Sequence, residues 1–140
     1  MNATPRQDAS LAAAVAPANQ AVNQLSRANN QMMRGANNLG NGRVSAANTN
    51  AQNATSQLKG AAGNFNKSAN KLAPYANMNK NINVARNYLK RASIQTVKAN
   101  VAQALVLAGK AAESLGKAAN SNLTSNNTNK MRLNRLKNTV

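Results

Sequence analysis

The stretch VSAANTNAQNATSQLKGAAGNFNKSANKL, residues 44–72, shows most clearly how this chain folds. Small and apolar residues recur in it at alternating spacings of three and four, which places them on one side of an α-helix. We call such a row of residues a seam. Alanine dominates it, so the seam is narrow, and polar amides occupy the remaining surface of the predicted helix. The members of this seam are Val44, Ala47, Ala51, Ala54, Leu58, Ala61, Phe65, Ser68 and Leu72.

The same spacing occurs on both sides of this stretch and predicts further helices. A shorter pattern over residues 82–92 is out of phase with the last seam, so either a stutter joins the two or a new helix begins at Ser93. The first seam is Leu11, Val15, Ala18, Val22, Leu25, Asn29, Met32, Ala36 and Leu39. The last seam is Ile94, Val97, Val101, Ala104, Ala108, Ala111, Leu115 and Ala118.

Glycine, proline and asparagine separate these segments. Residues 40–42, Gly-Asn-Gly, predict a helix stop, and Pro74 followed by the asparagine-rich residues 77–83 predicts a connector. Pro17 is expected in the first turn of the first helix, because proline has no N–H to donate within a helix. The predicted organisation is an N-terminal arm (1–16), a helical region (17–119) with breaks near 40–42 and 74–83, a linker (120–129) and a basic C-terminal tail (130–140).

The predicted fold is all-α, with two to four alanine-rich amphipathic helices, narrow heptad-like seams and Asn/Gly-rich linkers. The aromatic residues are Phe65, Tyr75 and Tyr88, and alanine buries little area per residue. We therefore expect an extended arrangement and not a compact globule. The residues expected to pack along the seams are Leu11, Val15, Val22, Leu25, Val44, Leu58, Phe65, Leu72, Val97, Val101 and Leu115.

Charge is the strongest feature of the composition. Eighteen lysines and arginines face two acids, Asp8 and Glu113, and the formal net charge is +16. Such an imbalance favours contact with a polyanion, and the shortage of aromatic residues predicts contacts to the nucleic-acid backbone without sequence preference. The residues expected to make these contacts are Arg27, Arg34, Arg86, Lys90, Arg91, Lys98, Lys130, Arg132, Arg135 and Lys137.

Catalytic chemistry is not expected of this chain. It has no histidine and no cysteine, so the usual bases, nucleophile pairs and transition-metal ligands are missing. Ser-x-x-Lys matches, such as those at Ser56 and Ser114, lack the companion motifs of serine hydrolases. Glu113 is expected to pair with Lys117 one helical turn further on. We predict no catalytic, cofactor-binding or metal-binding residue, and no cofactor.

These observations predict a non-catalytic structural protein of a large macromolecular assembly. The leading hypothesis is a minor cement, linker or internal protein of a virus particle. It would occur in many copies and bridge capsid subunits, with its basic face toward a polyanion. A histone-like protein that compacts nucleic acid is the alternative. A peripheral membrane-surface protein is the third hypothesis, disfavoured because such helices usually carry bulky apolar residues. We expect neither a secretory signal nor a transmembrane segment, and we expect localisation in a virion or another large intracellular assembly.

Overall fold

The computed structural model describes the backbone of residues 5–77 and 79–118 and the side chains of residues 13–77 and 79–118. Over these residues the chain is helical, and the prediction of an all-α fold is confirmed. The four α-helices are α1 (Pro5–Gly40), α2 (Val44–Leu72), α3 (Lys80–Val97) and α4 (Val101–Ala118). A short 3₁₀ turn, Ala73–Tyr75, follows α2.

The helices form two αα-hairpins, and the first is closed by a turn at residues 41–43. The N–H of Arg43 donates to the carbonyl of Asn38 at 2.7 Å, and the N–H of Gly42 donates to that of Leu39 at 3.0 Å. This pair of bonds is the Schellman motif, in which the residue after the helix cap adopts a left-handed conformation. Gly42 does so, with φ of 76°.

The second hairpin, α3–α4, is closed in the same way at residues 98–100. The N–H of Asn100 donates to the carbonyl of Gln95, and the N–H of Ala99 donates to that of Thr96, each at 2.9 Å. The left-handed residue here is Ala99, with φ of 61°. Asn100 then caps α4, because its side chain accepts a hydrogen bond from the N–H of Gln103 at 3.3 Å.

The two hairpins enclose one hydrophobic core. α1 packs along α2, α2 against α3 and α3 against α4, and a smaller contact between α1 and α4 completes the arrangement. Alanine supplies much of the core, which lets helix axes approach closely and places the few large side chains between them. The largest fully buried side chains are Phe65, Leu25, Leu72, Ile82, Leu89, Leu107, Leu115 and Val15.

The first hairpin is longer than the second and extends past it. α1 has 36 residues and α2 has 29, whereas α3 and α4 have 18 each. The core draws on residues 14–25 of α1 and 61–72 of α2. We call the four-helix part around this core the base. Residues 29–60, the outer part of the first hairpin, are called the arm from here on; they are distinct from the N-terminal arm predicted for residues 1–16. Of the arm's residues, Ala54 alone is buried.

Amide side chains join the two helices of the arm. Asn50 on α2 accepts a hydrogen bond from Asn38 and donates one to Gln31, both at 2.8 Å and both to residues of α1. Beside these amides, small and apolar residues of the two helices line an open groove of about 300 Å³. Its lining includes Met32 and Leu39, and the Leu39 side chain is 59% exposed.

Pro17 lies inside α1, so the prediction that the first helix begins there is wrong. A proline in a helix interior costs about 3 kcal/mol because it removes a hydrogen bond and crowds the preceding turn. The base offsets this cost: Pro17 itself is buried, and so are Ala14 and Ala18 beside it. The Ser68 hydroxyl on α2 also donates to the carbonyl of Ala14, in the turn that precedes the proline.

The last predicted seam does not follow one helix. α3 continues without a break through Ser93, which is buried and donates to the carbonyl of Ala62 on α2 at 2.9 Å. The chain turns only at residues 98–100, so neither a stutter nor a helix start at Ser93 occurs. Ile94 and Val97 are 52% and 75% exposed, because they lie on the outer side of α3. They do not share a buried face with the α4 members of the predicted seam.

The structure separates the predicted packing residues into three groups. Val44, at the outer end of the arm, is 55% exposed, and Val97 is 75% exposed. The prediction that these two residues pack along the seams is therefore wrong, because no helix lies over either side chain. Leu58 and Val101 are half-buried against the core, and the side chain of Leu11 lies outside the described residues. The buried members are Val15, Val22, Leu25, Phe65, Leu72 and Leu115.

Candidate polyanion-binding surface

Every lysine and arginine whose side chain the structure describes lies at the surface. Of the predicted contact residues, Arg86 and Lys90 are half-buried, and the four in the C-terminal tail (Lys130, Arg132, Arg135 and Lys137) lie outside the described residues. The others, Arg27, Arg34, Arg91 and Lys98, are exposed. The prediction did not include further exposed bases, namely Arg43, Lys59, Lys67, Lys71, Lys80, Lys110 and Lys117.

Helix geometry explains why the bases face outward. α1 buries the side that carries Val15, Val22 and Leu25, and the 3.6-residue period puts Arg27 and Arg34 on the opposite side. A lysine or arginine buried without a partner would cost several kcal/mol, so the alanine-filled core leaves these residues only the solvent side. The described bases therefore form a shell of positive charge at the surface.

Carboxylates do not neutralise this shell in the part of the chain that the structure describes. Glu113 is the one acid whose side chain is described, and it is exposed on α4. It forms no salt bridge with Lys117, so that predicted pair is wrong. An exposed pair at this spacing gains only a few tenths of a kcal/mol, which is too little to hold two flexible side chains together.

A cluster of two bases on one aromatic ring stands out on the α3–α4 face. The Arg91 guanidinium carbon lies 5.6 Å from the centre of the Tyr88 ring, and the Lys110 ammonium nitrogen lies 5.9 Å from it. α3 supplies Tyr88 and Arg91, one turn apart, and α4 brings Lys110 from the neighbouring helix. Tyr88 is half-buried and packs against the core, so its position is fixed by the base. We call Tyr88, Arg91 and Lys110 the Tyr88 cluster.

Sequence reasoning found only Arg91 of this cluster. Tyr88 and Arg91 are three residues apart on a predicted helix, and this spacing could have predicted that the two side chains are neighbours. Lys110 carries no such signal, because its approach to Tyr88 depends on how α3 and α4 pair.

Arg86 and Lys90 occupy a different side of α3. They lie four residues apart and share one face of the helix, away from Tyr88. The Arg86 side chain donates one hydrogen bond from Nη1 to the Asn83 side chain at 3.4 Å, while its buried Nε has no hydrogen-bond partner. Two faces of α3 therefore carry bases.

The described residues contain no group of three or more histidine, cysteine, aspartate or glutamate side chains able to hold a metal ion. Within the same part of the chain, none of the helices combines the length and the apolar character needed to cross a membrane.

Comparison of the chain with protein-family models, with curated proteins and with solved structures finds no match.

Proposed function

We propose that this chain is a non-catalytic structural protein of a large macromolecular assembly, where its exposed bases bind a polyanion. The observation that carries the proposal is the uncompensated charge. The formal charge is +16, the described bases lie at the surface, and none of them forms a salt bridge with a described carboxylate. Such a shell is stabilised by counter-charge from outside the chain.

The arm supports a role within an assembly. Its groove is lined by residues of α1 and α2 alone, the two helices whose inner parts contribute to the core of the base. An outer hairpin with exposed Met33, Leu39 and Val44 gains stability when a neighbouring protein packs against it. In this proposal the base is the self-contained end of the described chain, and the arm is the end that a partner would complete.

The assembly we favour is a virus particle, with the chain as a minor cement, linker or internal protein present in many copies. Its basic surface would face the genome or an acidic shell, and the arm would contact structural subunits. The absence of histidine and cysteine, and therefore of most catalytic chemistry, suits this role.

Compaction of nucleic acid is the second candidate function. Exposed bases are present on all four helices, for example Arg27, Lys67, Arg91 and Lys110. A protein with bases on several sides can contact two duplex segments at once, and such bridging is what compaction requires.

Binding of labelled duplexes by the purified full chain tests the polyanion part. We expect two unrelated 20-base-pair duplexes to bind within a factor of about three of each other. With about four phosphate contacts, affinity should fall about 100-fold between 50 and 200 mM salt. A strong preference for one duplex over its scrambled version, or no binding at 50 mM salt, would contradict the proposal. Stronger binding to anionic vesicles than to either duplex would favour the membrane-surface hypothesis.

Size fractionation of the native protein tests the assembly part. We expect it to elute with a particle far larger than 14.6 kDa and to leave that particle as salt is raised. Elution as a free monomer at low salt would contradict a structural role in an assembly.

A further inference from the structure

We propose that the Tyr88 cluster is a binding site for a phosphate group of a nucleic-acid backbone. This inference rests on the proposed polyanion binding and names the residues where that binding is strongest. It adds Tyr88 and Lys110 to the predicted contact residues and assigns each member a role.

The ring provides a fixed platform for two mobile cations. Tyr88 is held against the core, whereas Arg91 and Lys110 are exposed and have long side chains. Each cation is attracted to the electron-rich ring, which restricts where its charged group lies. Since each cation is already near the ring, less side-chain freedom is lost when an anion arrives.

Electrostatics make an anion the complement of this arrangement. Two positive groups near one ring repel each other, and neither has a carboxylate partner among the described residues. An anion that contacts both cations replaces this repulsion with two attractions. Arg91 offers a planar fork of N–H donors that matches two phosphate oxygens, and Lys110 adds a point charge. No other base described by the structure lies over an aromatic ring.

The surroundings favour a repeating polyanion over an isolated acidic side chain. Lys117 is also exposed and lies seven residues after Lys110 on the same side of α4, about 10 Å along the helix. A nucleic-acid strand carries evenly spaced charges, so a strand bound at the cluster has further phosphates within reach of Lys117. A single carboxylate on a protein surface would use the cluster alone.

Two charge-matched variants test the site. The first is Arg91→Gln with Lys110→Gln, and the second is Lys67→Gln with Lys71→Gln, which removes two exposed bases from α2. All four residues lie at the surface, so both variants should keep the helical circular dichroism of the parent. At 100 mM salt we expect the α2 variant to bind a 20-base-pair duplex about threefold more weakly than the parent, and the cluster variant at least tenfold more weakly.

The outcomes separate this inference from the proposed function. Equal losses in the two variants would overturn the phosphate site while leaving diffuse polyanion binding intact. Failure of the parent chain to bind the duplex would overturn both. Poly-glutamate that binds the parent more tightly than the duplex, and loses that affinity in the cluster variant, would assign the cluster to an acidic protein and overturn the nucleic-acid assignment.

Nuclear magnetic resonance of the parent gives a direct readout at the site. On addition of the duplex, the Nε–Hε signal of Arg91 should shift more than those of Arg27 and Arg34, which are exposed on α1. The shift should fall by more than half when Tyr88 is replaced by leucine and persist with phenylalanine, which keeps the ring. Equal shifts at all three arginines would contradict a specific site.

Discussion

The base and the arm are built from the same two helices, yet they are held together differently. Along α1 and α2 the spacing of small and apolar residues continues from one part into the other. In the base this face is buried in the core that the four helices share, and in the arm it lies open beside the groove lined by Met32 and Leu39. Helical spacing therefore predicts which side of a helix can be buried. The lengths of the neighbouring helices decide how much of that side is buried.

The two parts also differ in the kind of interaction that joins their helices. Large side chains such as Phe65 and Leu72 contribute about 1.5–3 kcal/mol each when fully buried, and the base contains several of them. The arm relies on the amides of Gln31, Asn38 and Asn50, and a neutral hydrogen bond contributes only about 1 kcal/mol net. The base should accordingly be the stable unit and the arm the part that opens first.

The largest effect should follow from a cavity in the base. Phe65 is fully buried on α2, and Phe65→Ala should lower the free energy of unfolding by about 3–5 kcal/mol through lost burial and an unfilled space. Urea unfolding followed by helical circular dichroism measures this loss. The matched arm variant Leu39→Ala removes a side chain that is 59% exposed and should change stability by less than about 0.5 kcal/mol. Similar losses in both variants would mean that base and arm do not differ as described.

A smaller and local effect is expected from the arm's amides. Asn50→Ala removes two interhelical hydrogen bonds, partly offset by the better helix propensity of alanine, so the arm should be destabilised by about 1.5 kcal/mol. Backbone amides of residues 31–51 should then exchange hydrogen about tenfold faster, with little change in residues 65–72. The exposed arm variant Asn53→Ala is the control and should not accelerate exchange. If Asn50→Ala accelerated exchange equally in the base, arm and base would open as one unit.

Sequence reasoning could predict the helices because their signals are local. The seam of residues 44–72 matches the limits of α2, and Gly42 marks the turn before it. It failed at Pro17 and at residues 98–100, where tertiary structure outweighs local preference. The buried surroundings of Pro17 compensate for its lost hydrogen bond, and a turn without glycine or proline gives little warning in a sequence.

The candidate site was predictable only in part. An apolar core and a 3.6-residue period are enough to place Arg27, Arg34 and Arg91 on outer faces. The approach of Lys110 to Tyr88 depends on the relative rotation and height of α3 and α4, which no spacing within one helix reveals. The exposure of Val44 also depends on which helices lie beside the outer end of the first hairpin, which the spacing within α2 does not reveal.

The smallest effects concern the two turns, where arm and base use one motif with different residues. Gly42 in the arm and Ala99 in the base both have positive φ, a conformation that crowds any side chain with a Cβ. Ala99→Gly should therefore stabilise the chain by roughly 0.5–1 kcal/mol, although glycine usually weakens helical proteins. Gly42→Ala should have the opposite effect and destabilise the arm turn by about 1 kcal/mol. Urea unfolding reports the first change, and hydrogen exchange at residues 38–47 reports the second. Because the arm opens before the base, Gly42→Ala should hardly move the urea midpoint; a midpoint shift as large as that of Ala99→Gly would show that the arm turn contributes to global unfolding.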